Sequence, residues 1–391
     1  MKNLRLILAN ILLLTTPLAM AQDIDNGGFN LIVLGDTQPQ TEEQLARFES
    51  EIMPAIAAIV EEYDREDDIP EAILITGDVV WDTMEFLPRI KEMFAPLGIP
   101  LYTVPGNHDY DRKIEGRERR ALRDYRRTFG KRYYATKLGY YTLIGLDNIL
   151  YNSYFDYSLG IDRAQMRWLK RAIRRTPHDR ALLLAMHAPA YDARKGALIP
   201  YAQQIIDLAE GRQLHLITGH GHRNNTFDIS DNIVEHCVAQ VNGNLWFAPL
   251  CADGTPRCVL IVEGRGREIE WYFRTLEHSA EHQMVAWREG EVKDNEEYIV
   301  VKIWGVDAKW SVCCSEDGTT WHTMEPITIV DPEYIEYVEN EASYSDIIME
   351  RLRRSAIPAS HFFRYRRADK NNSVTITATD RFGRSYQTII P

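Results

Sequence analysis

The chain of 391 residues is too long for one compact core and predicts two domains, or one large domain with a small one. Hydrophobic residues make up 45% and charged residues 26%, which is ordinary for a globular protein and excludes a low-complexity or fibrous chain. The formal net charge of -12 argues against nucleic-acid binding and against any polyanionic partner held by the overall field of the protein.

Residues 1–21 have the pattern of an export signal. A short basic start and an apolar run at 6–14 precede the small-x-small pattern of 19–21, which a signal peptidase recognises. The sequence therefore predicts an exported protein, periplasmic or extracellular, whose mature chain begins at Gln22. No later apolar run in the sequence has the length that a transmembrane helix needs.

Buried-type strands and amphipathic helices alternate through the first two-thirds of the chain. The predicted strands are 30–34, 72–76, 101–104, 140–146, 181–186 and 214–218, and the clearest predicted helices are 41–64 and 162–175. This alternation predicts an α/β architecture whose sheets are covered by helices.

The character of the sequence changes after about residue 273. The stretch 275–297 is polar and predicts a linker or a long excursion. The runs that follow predict strands at 299–304, 310–314, 322–330, 359–365, 373–379 and 384–390. We therefore expect a domain over 22–275 and a small all-β, sandwich-like domain over 276–391.

The five cysteines include no CxxC pair, which argues against a structural zinc site. We favour five thiols, and the alternative is a single disulfide between Cys251 and Cys258.

Five of the predicted strands end in residues that bind metals or transfer protons. These residues are Asp36 and Gln38 after the first, Asp78 after the second, Asn107, His108 and Asp109 after the third, His187 after the fifth, and His220 and His222 after the sixth. Ligands gather at the carboxyl ends of strands in open α/β sheets. Carboxylates, amide oxygens and imidazoles suit divalent Mn, Fe, Zn or Ni, and one carboxylate can bridge two ions. Each motif alone is commonly a turn, but the ordered set predicts a dinuclear metal site.

This ordered set resembles that of the calcineurin-like metallophosphoesterases, over about residues 28–275. The resemblance implies a four-layer αββα sandwich, in which two mixed sheets pack together between helices. The ligands that it implies are Asp36, Gln38 and His222 for the first metal, Asn107, His187 and His220 for the second, and Asp78 as the bridging carboxylate. It also implies that His108 is the catalytic residue, which contacts the substrate or protonates the leaving oxygen and binds no metal.

Gln38 stands where most of this family has a histidine, although a subset has glutamine. The change replaces an imidazole by a neutral amide oxygen. We therefore predict weaker binding of the first metal and a shift towards harder ions.

More of the chain resembles one secreted branch of the family, which carries a C-terminal β-domain. The segments that carry this resemblance are 146–148, 168–169, 253–256, 303–304 and 379–383, together with Trp310.

The predicted function is that of an exported phosphoesterase that holds two divalent metal ions and hydrolyses a small phosphate ester by a metal-bridging hydroxide, with a phosphomonoester as the first choice. Either Asp82 or Asp109 would orient His108. Two alternatives stay open: a phosphodiesterase on the same site, and a catalytically lapsed metal- or glycan-binding protein.

The segment 112–137 contains eleven Lys or Arg and three acidic residues. We favour a solvated helix face for it, and the alternative is that some of these cations face an anionic substrate.

Overall fold

The computed structural model describes residues 27–66, 71–192, 194–209 and 211–391. The predicted export signal at 1–21 lies outside the described residues. Within the described ranges, none of the helices combines the length and the apolar character that crossing a membrane requires.

Strands and helices alternate up to residue 275. The strands are β1 (Phe29–Leu34), β2 (Glu71–Ile75), β3 (Leu101–Thr103), β4 (Tyr134–Leu138), β5 (Tyr141–Gly145), β6 (Ile149–Ser153), β7 (Asp156–Leu159), β8 (Ala181–Ala185), β9 (Tyr191–Asp192), β10 (Ala197–Leu198), β11 (Leu214–Thr218), β12 (Asn225–Ser230), β13 (Ile233–Cys237), β14 (Cys258–Arg265) and β15 (Glu268–Thr275). The helices are α1 (Glu42–Arg47), α2 (Met53–Glu66), α3 (Phe86–Phe94), α4 (Glu118–Ala121), α5 (Arg123–Phe129), α6 (Arg163–Arg175) and α7 (Pro200–Ala209). A π-helical turn, Phe48–Ile52, joins α1 to α2, and short 3-10 turns lie at Ala95–Leu97 and Asn107–Asp109.

Two mixed sheets form the centre of this part of the chain. One has the strand order β15-β14-β1-β2-β3, and the other has the order β12-β13-β11-β8-β5-β4. Strands β1, β2 and β3 are parallel to one another, as are β5, β8, β11 and β13. The carboxyl ends of the parallel strands therefore reach the same edge of each sheet.

The central strands β1, β2, β5, β11 and β13 are buried on both faces, as expected for a sheet covered on each side. In β1, Leu31 and Val33 pack between the two sheets, whereas Ile32 and Leu34 pack under the helices α1 to α3. The outer face of the second sheet packs in the same way against α6 and α7. The predicted four-layer αββα sandwich is therefore confirmed.

The remainder of the chain forms a second set of strands. They are β16 (Met284–Trp287), β17 (Ile299–Ile303), β18 (Ser311–Ser315), β19 (His322–Thr323), β20 (Glu325–Ile329), β21 (Ala359–Tyr365), β22 (Val374–Thr379) and β23 (Ser385–Ile390). They pair as two four-stranded sheets, β16-β17-β21-β20 and β19-β18-β22-β23, which share one apolar core. This is the predicted sandwich-like arrangement.

Three elements here differ from the expectation. Strand β16 lies inside the stretch predicted as a polar linker, and it pairs with β17. Two unpredicted helices, α8 (Pro332–Asn340) and α9 (Asp346–Ser355), interrupt the strands. Helix α8 begins where the Asp331 carboxylate accepts from the Tyr334 amide, and Pro332 suits the first turn. The buried faces of both helices pack on residues 247–250 of the first part.

A buried ion network joins the two parts of the chain. The Nζ atom of Lys302 donates to the Gly254 carbonyl at 3.1 Å and to Asp331 Oδ2 at 2.7 Å, and it also contacts Glu333. Gly254 has φ +84°, and a Cβ there would lie 2.2 Å from Asp331. The predicted division at residue 275 stays a prediction. All five cysteines are free thiols.

Candidate metal centre

The loops after β1, β2, β3, β8 and β11 meet at one edge of the two sheets. Contacts of 2.7–3.8 Å connect all eight predicted site residues into one network. They are Asp36, Gln38, Asp78, Asn107, His108, His187, His220 and His222. The strand-end motifs therefore converge, as the sequence predicts.

Four side-chain atoms converge on one point, and we call their residues, Asp78, Asn107, His187 and His220, the His187 cluster. His187 Nε2 lies 3.1 Å from Asn107 Oδ1, 3.1 Å from His220 Nδ1 and 3.4 Å from Asp78 Oδ1. Two atoms that each lie about 2.1 Å from a shared ion are themselves separated by roughly 3 Å. The spacing in the cluster therefore suits a divalent cation.

The other nitrogen of His187 fixes the orientation of the ring. His187 Nδ1 lies 2.9 Å from the Thr76 carbonyl oxygen, so it is assigned the proton that this bond needs. Nε2 is then left with a lone pair towards the cluster. Such a contact to the distal nitrogen is the usual support of a metal-binding imidazole.

The remaining predicted ligands, Asp36, Gln38 and His222, form a looser group that we call the Asp36 cluster. Asp36 Oδ1 lies 3.8 Å from His222 Nε2. Both Asp36 Oδ1 and Gln38 Oε1 are buried without a hydrogen-bond partner. Because an unpartnered buried acceptor is costly, both oxygens are suited to ligate a second cation.

The Gln38 amide nitrogen donates to Asp78 Oδ2 at 2.7 Å. The side chain therefore contacts the predicted bridging carboxylate directly, in addition to presenting an oxygen.

The electrostatics of the site also suit cations. Burial raises the pKa of the Asp36 carboxyl to about 7 and lowers the pKa of His220 to about 3 and that of His222 to about 4. Burial would also lower the pKa of His187, but the carboxylate of Asp78 outweighs it and raises the value to about 10. A metal would keep the carboxylates charged and the imidazoles neutral, which is the state that ligation requires.

The ring of His108 contacts residues outside both clusters. Its backbone amide donates to Asp78 Oδ1 at 2.8 Å, while its ring Nδ1 lies 2.9 Å from Asp82 Oδ1. The ring stacks on Trp81 with 4.2 Å between centroids. Burial lowers the pKa of His108, but the charges of Asp78 and Asp82 raise it more, so the net shift is upward.

Of the two candidates for orienting His108, the structure places Asp82 against it. Asp109 instead accepts from the backbone amides of Val80 at 3.2 Å and Gly106 at 2.8 Å, so it connects the loop after β2 to the loop after β3.

The backbone of the site is strained. Eight non-glycine residues of the described chain have positive φ, and five of them lie here. They are Gln38, Asp78, Asp82, His220 and His222. Such strain clusters at functional sites because the surrounding structure must hold it in place. Gly106 is needed for close approach, since a Cβ there would lie 2.2 Å from Asp78 Oδ1.

Two buried residues that the sequence analysis did not assign to the site hold the loop after His187. The carboxamide oxygen of Asn148 accepts from the amides of His187 and Ala188, both at 3.1 Å. The carboxylate of Glu235 accepts from two amides further along the same loop, at 2.7 and 2.8 Å. A carboxylate inside the apolar run 233–237 was the available signal for Glu235.

The rim beside His108 is aromatic and cationic. Tyr154 lies 6.1 Å from the His108 ring, and the neighbouring Phe155 is 93% exposed. The guanidinium of Arg112 lies over Tyr154, and that of Arg351, from helix α9, lies 5.7 Å from the centroid of Trp81. No local sequence signal indicates the approach of Arg351, because it comes from the distant second part of the chain.

Two family models match this chain. The model described as calcineurin-like phosphoesterase matches residues 29–224, and the model described as the C terminal of calcineurin-like phosphoesterase matches residues 235–386. The second match includes β14 and β15, which belong to the same sheet as β1.

Among curated proteins, a probable glycerophosphodiester phosphodiesterase of Arcobacter nitrofigilis is 22% identical over 162 residues, which are 41% of this chain and 57% of that protein. Among solved structures, a dimetal phosphatase from Danio rerio aligns with a TM-score of 0.42 and 13% identity, over 63% of this chain and 99% of that one. A purple acid phosphatase from yellow lupin seeds aligns with a TM-score of 0.46 and 12% identity, over 64% of this chain and 52% of that one.

Proposed function

Since the chain belongs to the calcineurin-like phosphoesterase family, we propose that it is a metal-dependent phosphoric ester hydrolase that cleaves small phosphate monoesters at a centre of two divalent cations. The observation that carries this proposal is the convergence of the His187 cluster beside the unpartnered acceptors of the Asp36 cluster. The proposed ligands are the seven predicted ones, with Asp78 between the two clusters.

The cations would polarise the phosphate oxygens and lower the pKa of a bound water. They would also hold an anionic substrate on a protein whose formal net charge is -12. The protein itself holds each ligand side chain in one orientation. The hydrogen bonds that His187 donates to the Thr76 carbonyl and to the Asn148 carboxamide oxygen do this for the His187 cluster.

His108 is the proposed proton donor to the leaving oxygen. Asp82 holds its Nδ1 and Trp81 supports one face of the ring, so Nε2 is the nitrogen left for the substrate. A positioned proton donor of this kind typically contributes about 10²–10⁴-fold to the rate.

Cleavage of diesters is the second candidate. The exposed Phe155 and the neighbouring Tyr154 form an open apolar surface beside His108, where the second alcohol of a diester would lie.

The test combines metal analysis with two chromogenic substrates. After reconstitution with Mn, Fe, Zn or Ni, we expect close to two ions per chain and faster turnover of nitrophenyl phosphate than of bis-nitrophenyl phosphate. Faster turnover of the diester would select the second candidate. Metal binding without turnover of either ester would select the lapsed binding protein, and the absence of bound metal would contradict the proposal.

Export is part of the proposal and rests on the signal-like segment 1–21. Sequencing the N-terminus of material outside the cytoplasm should give Gln22 as the first residue. A chain that still begins at Met1 would contradict export through this signal.

A further inference from the structure

A groove of about 1220 Å³ lies on the outer face of the edge strand β4, between α4 and α5 on one side and α6 on the other. None of the predicted metal ligands lines it. The floor is formed by short side chains, among them Ala135 and Thr142 on the sheet and Ala172 on the helix. It is therefore a separate feature from the metal centre.

The groove is strongly basic. Eight Lys or Arg line it together with two acidic residues, Glu118 and Asp162. Both acids pair with one arginine, Arg132, at 3.0 Å for Glu118 and by a shorter contact for Asp162, and Arg132 also pairs with the buried Asp147. The eight cations of the groove still outnumber its two acids, so the groove carries an excess of positive charge.

Six of these cations have no carboxylate oxygen within 4.0 Å among the residues that the structure describes. They are Arg119, Arg126, Lys131, Arg171, Arg175 and Arg180. The groove is therefore positively charged, although the protein as a whole has a formal net charge of -12. A groove lined mainly by one sign of charge concentrates its own local field, so it attracts anions although the whole protein repels them.

The arrangement suits several anions in a row. Arg171 and Arg175 lie one turn apart on α6, and Arg119 and Arg126 belong to the opposite wall. At 1.5 Å per residue, the two positions on α6 are about 6 Å apart along the helix axis. Several cations on each of two walls match a ligand with more than one anionic group better than they match a single ion.

The chemistry of the cations favours phosphate. Six of the eight are arginines, whose planar guanidinium binds two oxygens of a phosphate at once. We propose that the groove binds a linear polyanion that carries phosphate groups along its length, at a site distinct from the metal centre. This inference does not depend on the hydrolytic function.

The experiment measures binding of a fluorescently labelled linear inorganic polyphosphate, longer than the groove, to the full chain by anisotropy. The test variant is Arg171→Glu with Arg175→Glu. The matched control is Arg167→Glu with Arg174→Glu, which makes the same charge change on exposed positions of the same helix outside the groove.

We expect the groove variant to bind at least about tenfold more weakly and to lose about two from the slope of log affinity against log salt. The control should stay within about threefold of the wild type, since exposed charges outside the groove are screened. Both variants should keep the circular dichroism spectrum and the thermal unfolding midpoint of the wild type, which shows that they are folded.

Three results would overturn the proposal: no binding by the wild type, equal loss in both variants, or equally tight binding of a poly-glutamate of matching length. The last result would mean that phosphate is not what the groove recognises. If the test variant does not fold, Arg119→Glu with Arg126→Glu on the opposite wall provides the same measurement, with the same expected weakening.

Discussion

The two clusters of the metal centre differ in how far they are assembled. In the His187 cluster, three ligand atoms lie within 3.4 Å of His187 Nε2, and the imidazole is fixed from behind by the Thr76 carbonyl. In the Asp36 cluster, the carboxylate and the imidazole of His222 are 3.8 Å apart, and two buried oxygens lack partners. His222 is also 30% exposed, whereas His187 is fully buried.

This difference predicts which of the two clusters binds its cation more weakly. A closely assembled, buried cluster binds a cation with little ordering of side chains, whereas the partly exposed His222 of the Asp36 cluster loses more freedom on binding. The Gln38 amide adds to the cost because it must give up its hydrogen bond to Asp78 before Asp78 can serve both ions fully. We therefore expect the His187 cluster to bind the tighter cation.

The largest effect should follow from His187→Ala, which removes the central ligand of the tighter cluster. We expect loss of one ion per chain and a fall in hydrolysis of more than about 10³-fold, or ~4 kcal/mol in the barrier. Metal analysis and turnover check this, with His322→Ala at an exposed position as the control. Retention of both ions would show that the two clusters are not the two sites.

The next effect should follow from His108→Ala, which leaves both clusters intact. We expect both ions to stay bound and the rate to fall by about 10²–10⁴-fold, or ~3–5 kcal/mol. The loss should be larger for an alkyl phosphate than for a nitrophenyl phosphate, because a nitrophenolate needs little protonation. An equal, small loss for both esters would remove His108 from the role of proton donor.

The difference between the clusters also separates what could be predicted from the sequence from what could not. Each ligand lies in the loop that follows a strand, and parallel strands bring such loops to one edge, so the fold and the meeting of the ligands could be predicted. How tightly the ligands meet depends on residues distant in the sequence. Asn148 and Glu235 hold the His187 loop from two other segments.

Features assembled from several segments were the ones that the sequence did not predict. The basic groove needs cations from α4, α5 and α6, and only part of them fall in the segment 112–137 that the sequence marks as basic. Helices α8 and α9 are amphipathic, but they lie among strands and were not predicted. The contact between Arg351 and Trp81 depends on how the second part of the chain packs on the first.

A smaller effect should follow from Gln38→His, which is designed to reduce the difference between the clusters. An imidazole at this position offers a stronger ligand and removes the amide that donates to Asp78. We expect the weaker ion to bind about tenfold more tightly, or ~1.4 kcal/mol, with turnover retained. Titration of the metal-free variant with Mn or Zn measures this, and Gln40→His at an exposed neighbouring position is the control. Unchanged metal dependence would mean that Gln38 is not a ligand.

The smallest effect should follow from Arg351→Ala, which tests whether the second part of the chain contributes to the rim. The guanidinium lies over Trp81, and Trp81 supports the ring of His108, but Arg351 contacts neither cluster. Its loss should therefore weaken attraction of the anionic substrate without disturbing the metals. We expect KM to rise by about three- to tenfold with kcat nearly unchanged, since an exposed charge acts weakly through solvent.

Arg353→Ala, two positions away on the same exposed helix, is the matched control and should leave KM unchanged. A fall in kcat without a change in KM would mean that Arg351 positions Trp81 and His108 and does not attract the substrate. Equal effects in both variants would show that only the general charge of α9 matters.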